Sequence, residues 1–290
     1  MHIVTLGFFD GNPQTVINPL FGMYYWIGLT ISFILIISLF IFKKFYVNLS
    51  KSYLFKWNLG IFQLFLYISF YVVHGLSGDN YYWYDYFPFQ LCSVLNLTSS
   101  ILLMIPNKSL FNMTFPLIGP VILAFLLPDK AKWVFGPQHF LYWNYYLIHI
   151  IIMFSYLLLY LYGHIEYEKI YIKKSILYLT LFGAGVFIFN TSFGTNYLFI
   201  GSAGYTAGFG KKVLDTSVWL PIFRFIFMST VGISLLGLTY IFIIKTFVPF
   251  YIEKGTKINP IYENKKTLIT KFSSKFKFWR KKGKKMLINS

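Results

Sequence analysis

Residues 22–44 read GMYYWIGLTISFILIISLFIFKK: 21 uncharged residues closed by Lys43 and Lys44. A bilayer core is about 30 Å thick, and a helix rising about 1.5 Å per residue crosses it in roughly 20 apolar residues. The stretch has that length. Comparable blocks follow at residues 57–73, 86–104, 109–127, 139–162, 171–190 and 218–244. Barrel strands would instead show alternating segments of roughly ten residues, which the sequence lacks. The expected fold is therefore an all-α membrane protein, a bundle of about seven transmembrane helices.

Composition agrees with this. Only 12% of the 290 residues are charged, about half the roughly 25% of soluble domains. The first block lacks a basic n-region or a small-residue cleavage site, so it reads as a retained span and not a signal peptide. Residues 1–21 form an irregular lead-in, 22–245 the seven-span domain and 246–290 a basic tail. Pro88 is expected in the first turn of the third span, where its missing N–H costs little. Pro116, Gly119 and Pro120 should kink or break the fourth. The Gly-rich connection 191–216 is expected to be ordered but irregular, lying over the bundle mouth.

Charge sets an expected orientation. Thirteen of the 26 Lys and Arg lie from Lys245 onward. With the N-terminus outside, the cytoplasmic segments hold 21 of them and the outer loops four, Lys130, Lys132, Lys211 and Lys212. The positive-inside rule favours that arrangement. The tail is the expected partner of anionic lipid headgroups, and no nucleic acid is expected. Abundant Phe, Tyr, Ile, Lys and Asn suit a small AT-rich bacterial genome, hence a bacterial plasma membrane.

Polar groups buried in lipid are expensive, so function is sought there. Cys92, His149 and Arg224 fall roughly 10, 15 and 10 Å below the outer ends of their spans, at about 1.5 Å per residue. Asn96, Asn144 and Asn190 share that layer. Each also has a structural reading. Cys92 behaves as a small buried hydrophobe, His149 and the asparagines as interhelical fasteners, and Arg224 as a snorkelling side chain. His139 lies at a span end, where solvation accounts for it. A thiol and a histidine at one depth form a Cys–His pair suited to acyl transfer, with arginine and asparagine as phosphate or oxyanion donors. Cys92 is the only cysteine. No metal motif, Walker loop or GxSxG elbow occurs, so neither a metal nor another cofactor is expected.

Three stretches carry a family resemblance. Residues 87–92, FPFQLC, resemble the LPLHLC-type opening of the third span in YwaF-like bacterial membrane proteins, relatives of animal transmembrane protein 164. Pro128-Asp129 and residues 136–152, GPQHFLYWNYYLIHIII, resemble that family's aromatic run ending in a membrane histidine. Asn190, Asn196-Tyr197-Leu198, Leu214-Asp215 and Trp219-Leu220-Pro221 are similar to its asparagine-tyrosine loop and the signatures after it. The resemblance implies a lipid acyltransferase acting on phospholipids or lysophospholipids. It implies Cys92 as acyl carrier and His149 as base; the substrate-binding residues expected beside them are Arg224, Asn190, Asn196, Asn96 and Gln90. The chain departs from the pattern at Gln90, where the family usually has histidine, and at Ser93, where an acidic residue often follows the cysteine. The alternative is a non-catalytic transporter or lipid-binding protein whose polar layer is a binding site at the broken fourth helix.

Overall fold

The apolar blocks become helices because lipid offers no partner for a free backbone N–H or C=O, and the helix satisfies both internally. A computed structural model of the chain describes residues 7–9, 20–76, 87–128, 135–163, 165, 167–201, 203–205, 212–214 and 219–248. All of them belong to the unit Met1–Pro249. The expected tail from 249 onward, the aromatic loop 77–86, the loop 129–134 and most of the lead-in lie outside the described residues.

The helices are α1 (Met23–Ile41), α2 (Lys43–Lys51), α3 (Tyr53–Leu76), α4 (Leu91–Met104), α5 (Lys108–Thr114), α6 (Ile118–Leu126), α7 (Phe140–Tyr162), α8 (Tyr171–Phe193) and α9 (Trp219–Leu238). A π-helical segment, Thr239–Phe247, continues α9. Among the described residues, six runs are long and apolar enough to cross a membrane: α1, Tyr53–Val73 of α3, Lys108–Leu126, α7, α8 and Leu220–Phe247. The third expected span, 86–104, is the shorter apolar helix α4.

Several boundaries differ from expectation. Residues 87–90 are not helical, so Pro88 precedes α4 and Gln90, with extended backbone, caps it. The fourth span is broken as expected: a 3-10 turn, Phe115–Leu117, joins α5 to α6 at Pro116. Lys43 and Lys44 do not open a loop but begin α2, which turns Tyr46 and Ser50 inward and Phe45 outward. Ser50 Oγ donates to the Tyr162 carbonyl at 3.1 Å, which docks α2 on α7. His139 is buried, and its Nδ1 accepts from the Gly136 N–H at 3.2 Å, so packing and not solvation places it. The Gly-rich connection carries a 3-10 turn, Tyr197–Phe199, and two short antiparallel strands, β1 (Ala203–Tyr205) and β2 (Lys212–Leu214), with Gly204 opposite Val213.

α7 is the hub. Seventeen of its 23 residues are buried, whereas α1, α3, α8 and α9 keep most of theirs outward. A helix apolar all round belongs in the interior. Its tyrosines reach out to the surrounding helices. Tyr142 and Tyr162 donate to the α1 carbonyls of Tyr24 and Leu39, at 2.6 and 2.5 Å. Tyr145 donates to Ala124 O on α6, Tyr156 to Thr114 Oγ1 on α5 at 2.7 Å, and Tyr160 to Ile244 O at 3.3 Å. Gln63 ties α3 to α4 and α7: its Nε2 donates to Ser155 Oγ at 2.9 Å, and its Oε1 accepts from Ser99 Oγ at 3.3 Å.

α1 approaches α7 closely because Gly28 faces the ring of Tyr146, where any Cβ would overlap it. Gly28→Val should therefore lower stability by about 1–3 kcal/mol through overpacking. A reduced melting temperature in detergent checks this, and an unchanged one removes the close contact.

Candidate functional site

A cavity of about 260 Å³ lies where α4, α6, α8 and α9 meet the segment 194–201. α6 supplies Pro120, Val121, Leu123 and Ala124, with Leu127 just past its end, and α9 supplies Met228, Ser229, Val231, Gly232 and Leu235. Both sets follow i, i+1, i+3, i+4, i+7, a single helical face. Leu179 and Gly183 come from α8, and Leu198, Phe199 and Ile200 form a strap across one end. Gln90, Leu91 and Cys92 complete that end. The chain direction puts the start of α4, the end of α6, the end of α8 and the start of α9 beside the strap. The polar wall side chains, Gln90, Cys92 and Ser229, therefore gather at the strap end, and the floor is apolar.

Cys92 is the second residue of α4 and half-buried. It stands at a helix end, not a turn and a half inside a span, because the chain from 87 to 90 is not helical. Tyr67 lies within electrostatic reach of it. The Tyr67 hydroxyl donates to that of Tyr71 at 3.2 Å, and Ser93 is within hydrogen-bonding reach of Tyr71. This tyrosine pair was not foreseen. Its i, i+4 spacing on α3 was the available signal, lost among 24 tyrosines.

The strap is held by the residues expected to bind substrate. Asn190, fully buried, donates from Nδ2 to Tyr197 O at 2.8 Å. Its Oδ1 accepts from Tyr197 N at 3.0 Å and Thr195 Oγ1 at 2.7 Å. Asn196 Oδ1 accepts from Gly201 N at 2.8 Å, and Arg224 Nη1 donates to Gly201 O at 2.7 Å. Gln90 Oε1 accepts from Leu198 N at 3.3 Å, which ties the strap to α4. Leu198 and Phe199 both adopt left-handed backbone, at φ 56° and 60°. Non-glycine residues rarely do so, and such strain of about 1–3 kcal/mol each persists only where neighbours hold it. Gly201 is needed for close approach, since any Cβ there would meet the Thr195 carbonyl.

His149 and Asn96 lie elsewhere. Among the described residues lining the cavity neither is present, nor are Asn190, Asn196 and Arg224. His149 is buried on α7, with Nδ1 donating to Tyr145 O at 2.7 Å and its ring 4.4 Å from that of Tyr145. That bond leaves the lone pair of the neutral imidazole on Nε2. Tyr145 in turn bonds the carbonyl of Ala124, a wall residue. Asn96 Nδ2 donates to Gln63 O at 3.3 Å and Asn144 Nδ2 to Leu66 O at 2.8 Å, both across helices. No group of three or more His, Cys, Asp or Glu side chains suited to a metal occurs among the described residues.

The geometry defines a multi-span α-helical membrane protein with a thiol at the mouth of an apolar cavity. Within that class, residues 20–243 match the model of the TMEM164 family. The chain belongs to this multi-span membrane family, which includes the YwaF-like proteins. Comparisons with curated proteins and with solved structures give no match.

Asn190→Ala removes three hydrogen bonds from the strap and should cost about 1–3 kcal/mol. It should also speed amide hydrogen exchange at Thr195 and Tyr197. Unchanged exchange there would show that Asn190 does not hold the strap.

Proposed function

We propose that the protein is an integral membrane acyltransferase that moves acyl chains between phospholipids and lysophospholipids through Cys92. The observation that carries this is the position of Cys92 on the wall of an apolar cavity. A nucleophile there meets an ester carbonyl while the chain behind it stays out of water. The Cys92 sulfur, as thiolate, attacks the acyl carbonyl of a donor phospholipid. The ester C–O bond breaks, the departing alcohol oxygen takes a proton, and a thioester remains on Cys92. The hydroxyl of an acceptor lysophospholipid then attacks the thioester and gives up its proton. The C–S bond breaks and the thiol is restored. His149 accepts and returns the proton, a role for which a lone pair on Nε2 is required. The first turn of α4, at the positive end of the helix dipole, favours the negative charge that builds on the carbonyl oxygen.

The same reading sets the surroundings. The asymmetry of 21 to four basic residues puts the N-terminus outside and the tail in the cytoplasm. The strap end then opens toward the outer leaflet of a bacterial plasma membrane, and the tail meets anionic headgroups.

A second reading, a lipid-binding or transport protein without chemistry, is favoured by the absence of His149 from the cavity wall. Purified protein incubated with a labelled acyl phospholipid and a lysophospholipid acceptor separates the two. Cys92→Ala should abolish transfer, and His149→Ala should slow it roughly 10²- to 10⁴-fold. Transfer that survives Cys92→Ala sinks the covalent route. Lipid uptake into liposomes that survives it, without any transfer, supports the transport reading.

A further inference from the structure

We propose that the floor of this cavity is a chain-length gauge for the acyl group, set by Gly232 on α9 against Leu179 on α8. The inference rests on the acyl-transfer reading and assigns its specificity to residues outside the expected site. The occupant follows from the shape and chemistry of the wall. The polar side chains sit at the strap end beside the thiol. Below them, along about 6 Å of α9 from Val231 to Leu235 at 1.5 Å per residue, the lining is apolar. A volume of about 260 Å³ is below the range of roughly 300–1,000 Å³ usual for drug-sized ligands. It suits a slender chain entering from the thiol end.

The floor is closed by helix packing. Just beyond the cavity, Gly119 lets α6 touch α9: a Cβ there would meet Thr239 Oγ1 and the Leu235 carbonyl. Thr239 Oγ1 donates to that same carbonyl at 2.8 Å, where α9 passes into its π-helical segment. The seal lies at Leu235, the lining residue of α9 farthest from the strap, and Gly232 stands about one turn above it on the same wall. A Cβ on Gly232 would stand 3.2 Å from Leu179 Cδ2, a flexible side-chain end that can give. A side chain introduced at Gly232 meets Leu179 first and takes up space near the floor. Each methylene excluded from an apolar site costs about a fourfold factor in affinity.

The test uses full-length protein and donor phospholipids that differ only in acyl length. Gly232→Leu should shift the ratio of long-chain to short-chain transfer at least tenfold toward the short chain. Adding Leu179→Ala to that variant should bring the ratio back. An unchanged ratio, or equal loss on both donors in a protein of normal melting temperature, overturns the gauge and leaves acyl transfer standing. A second arm needs no turnover. Cys92→Ala protein is irradiated with a phospholipid carrying a diazirine at the end of its acyl chain. Label within 228–235 or 120–127 supports the gauge even if the wild type forms no thioester, a result that would remove the acyl-transfer reading alone. Label confined to other segments overturns the gauge.

Discussion

The structure depends on one constraint: polar groups withdrawn into lipid must find partners inside the bundle. α7 meets it with side chains that are mostly apolar but end in a hydroxyl. Tyr142, Tyr145, Tyr156, Tyr160 and Tyr162 carry rings into the packed interior and place their oxygens on α1, α6, α5 and the segment after α9. A tyrosine serves this purpose better than leucine, since the ring packs and the hydroxyl still reaches a backbone carbonyl. Gln63 does the same between α3, α4 and α7. Individual bonds of this kind contribute about 0.6 kcal/mol on average in membrane bundles. Their distribution around one helix matters more than any single bond, because it sets where each neighbour stands.

That placement creates the cavity. α6 is tied to α7 through Tyr145 and to α9 at Gly119. The 3-10 turn at Pro116 redirects the chain between α5 and α6, and α9 changes to a π-helix beside it. Between the two contacts of α6 the helix faces α9 across small side chains, Ala124 and Gly232 among them, and the interior does not close. The strap covers the open end under backbone strain at Leu198 and Phe199. Strain of this kind gathers at ligand clamps and switch regions. The polar network of Asn190, Asn196, Arg224 and Gln90 holds it there.

Much of the fold was legible in the sequence, because span length and charge-free runs depend only on lipid thickness. The break at Pro116 was legible for the same local reason. α2 was not: Lys43 and Lys44 end a span equally well whether a loop or an amphipathic helix follows. The start of α4 was misplaced because Pro88 suits a first helical turn as well as an extended lead-in. At the site, Cys92 stood out as a polar residue in an apolar context and Gln90 through the family resemblance of its motif, and both line the cavity. Asn190, Asn196 and Arg224 stood out too, but their partners lie on a segment that folds back on itself. The sequence marks them as polar without saying whether a ligand or a loop receives their bonds. The cavity wall was invisible for the opposite reason. Its residues are Leu, Val, Gly and Ala, which differ from neighbouring core only in what they face.

Acyl transfer through this cavity requires that Cys92 carry an acyl group. Intact mass spectrometry of the wild-type protein, after brief exposure to a phospholipid donor without acceptor, measures this directly. The expected result is an added mass equal to one acyl chain, released by neutral hydroxylamine and mapped to Cys92. No adduct, or an adduct on any other residue, would contradict it.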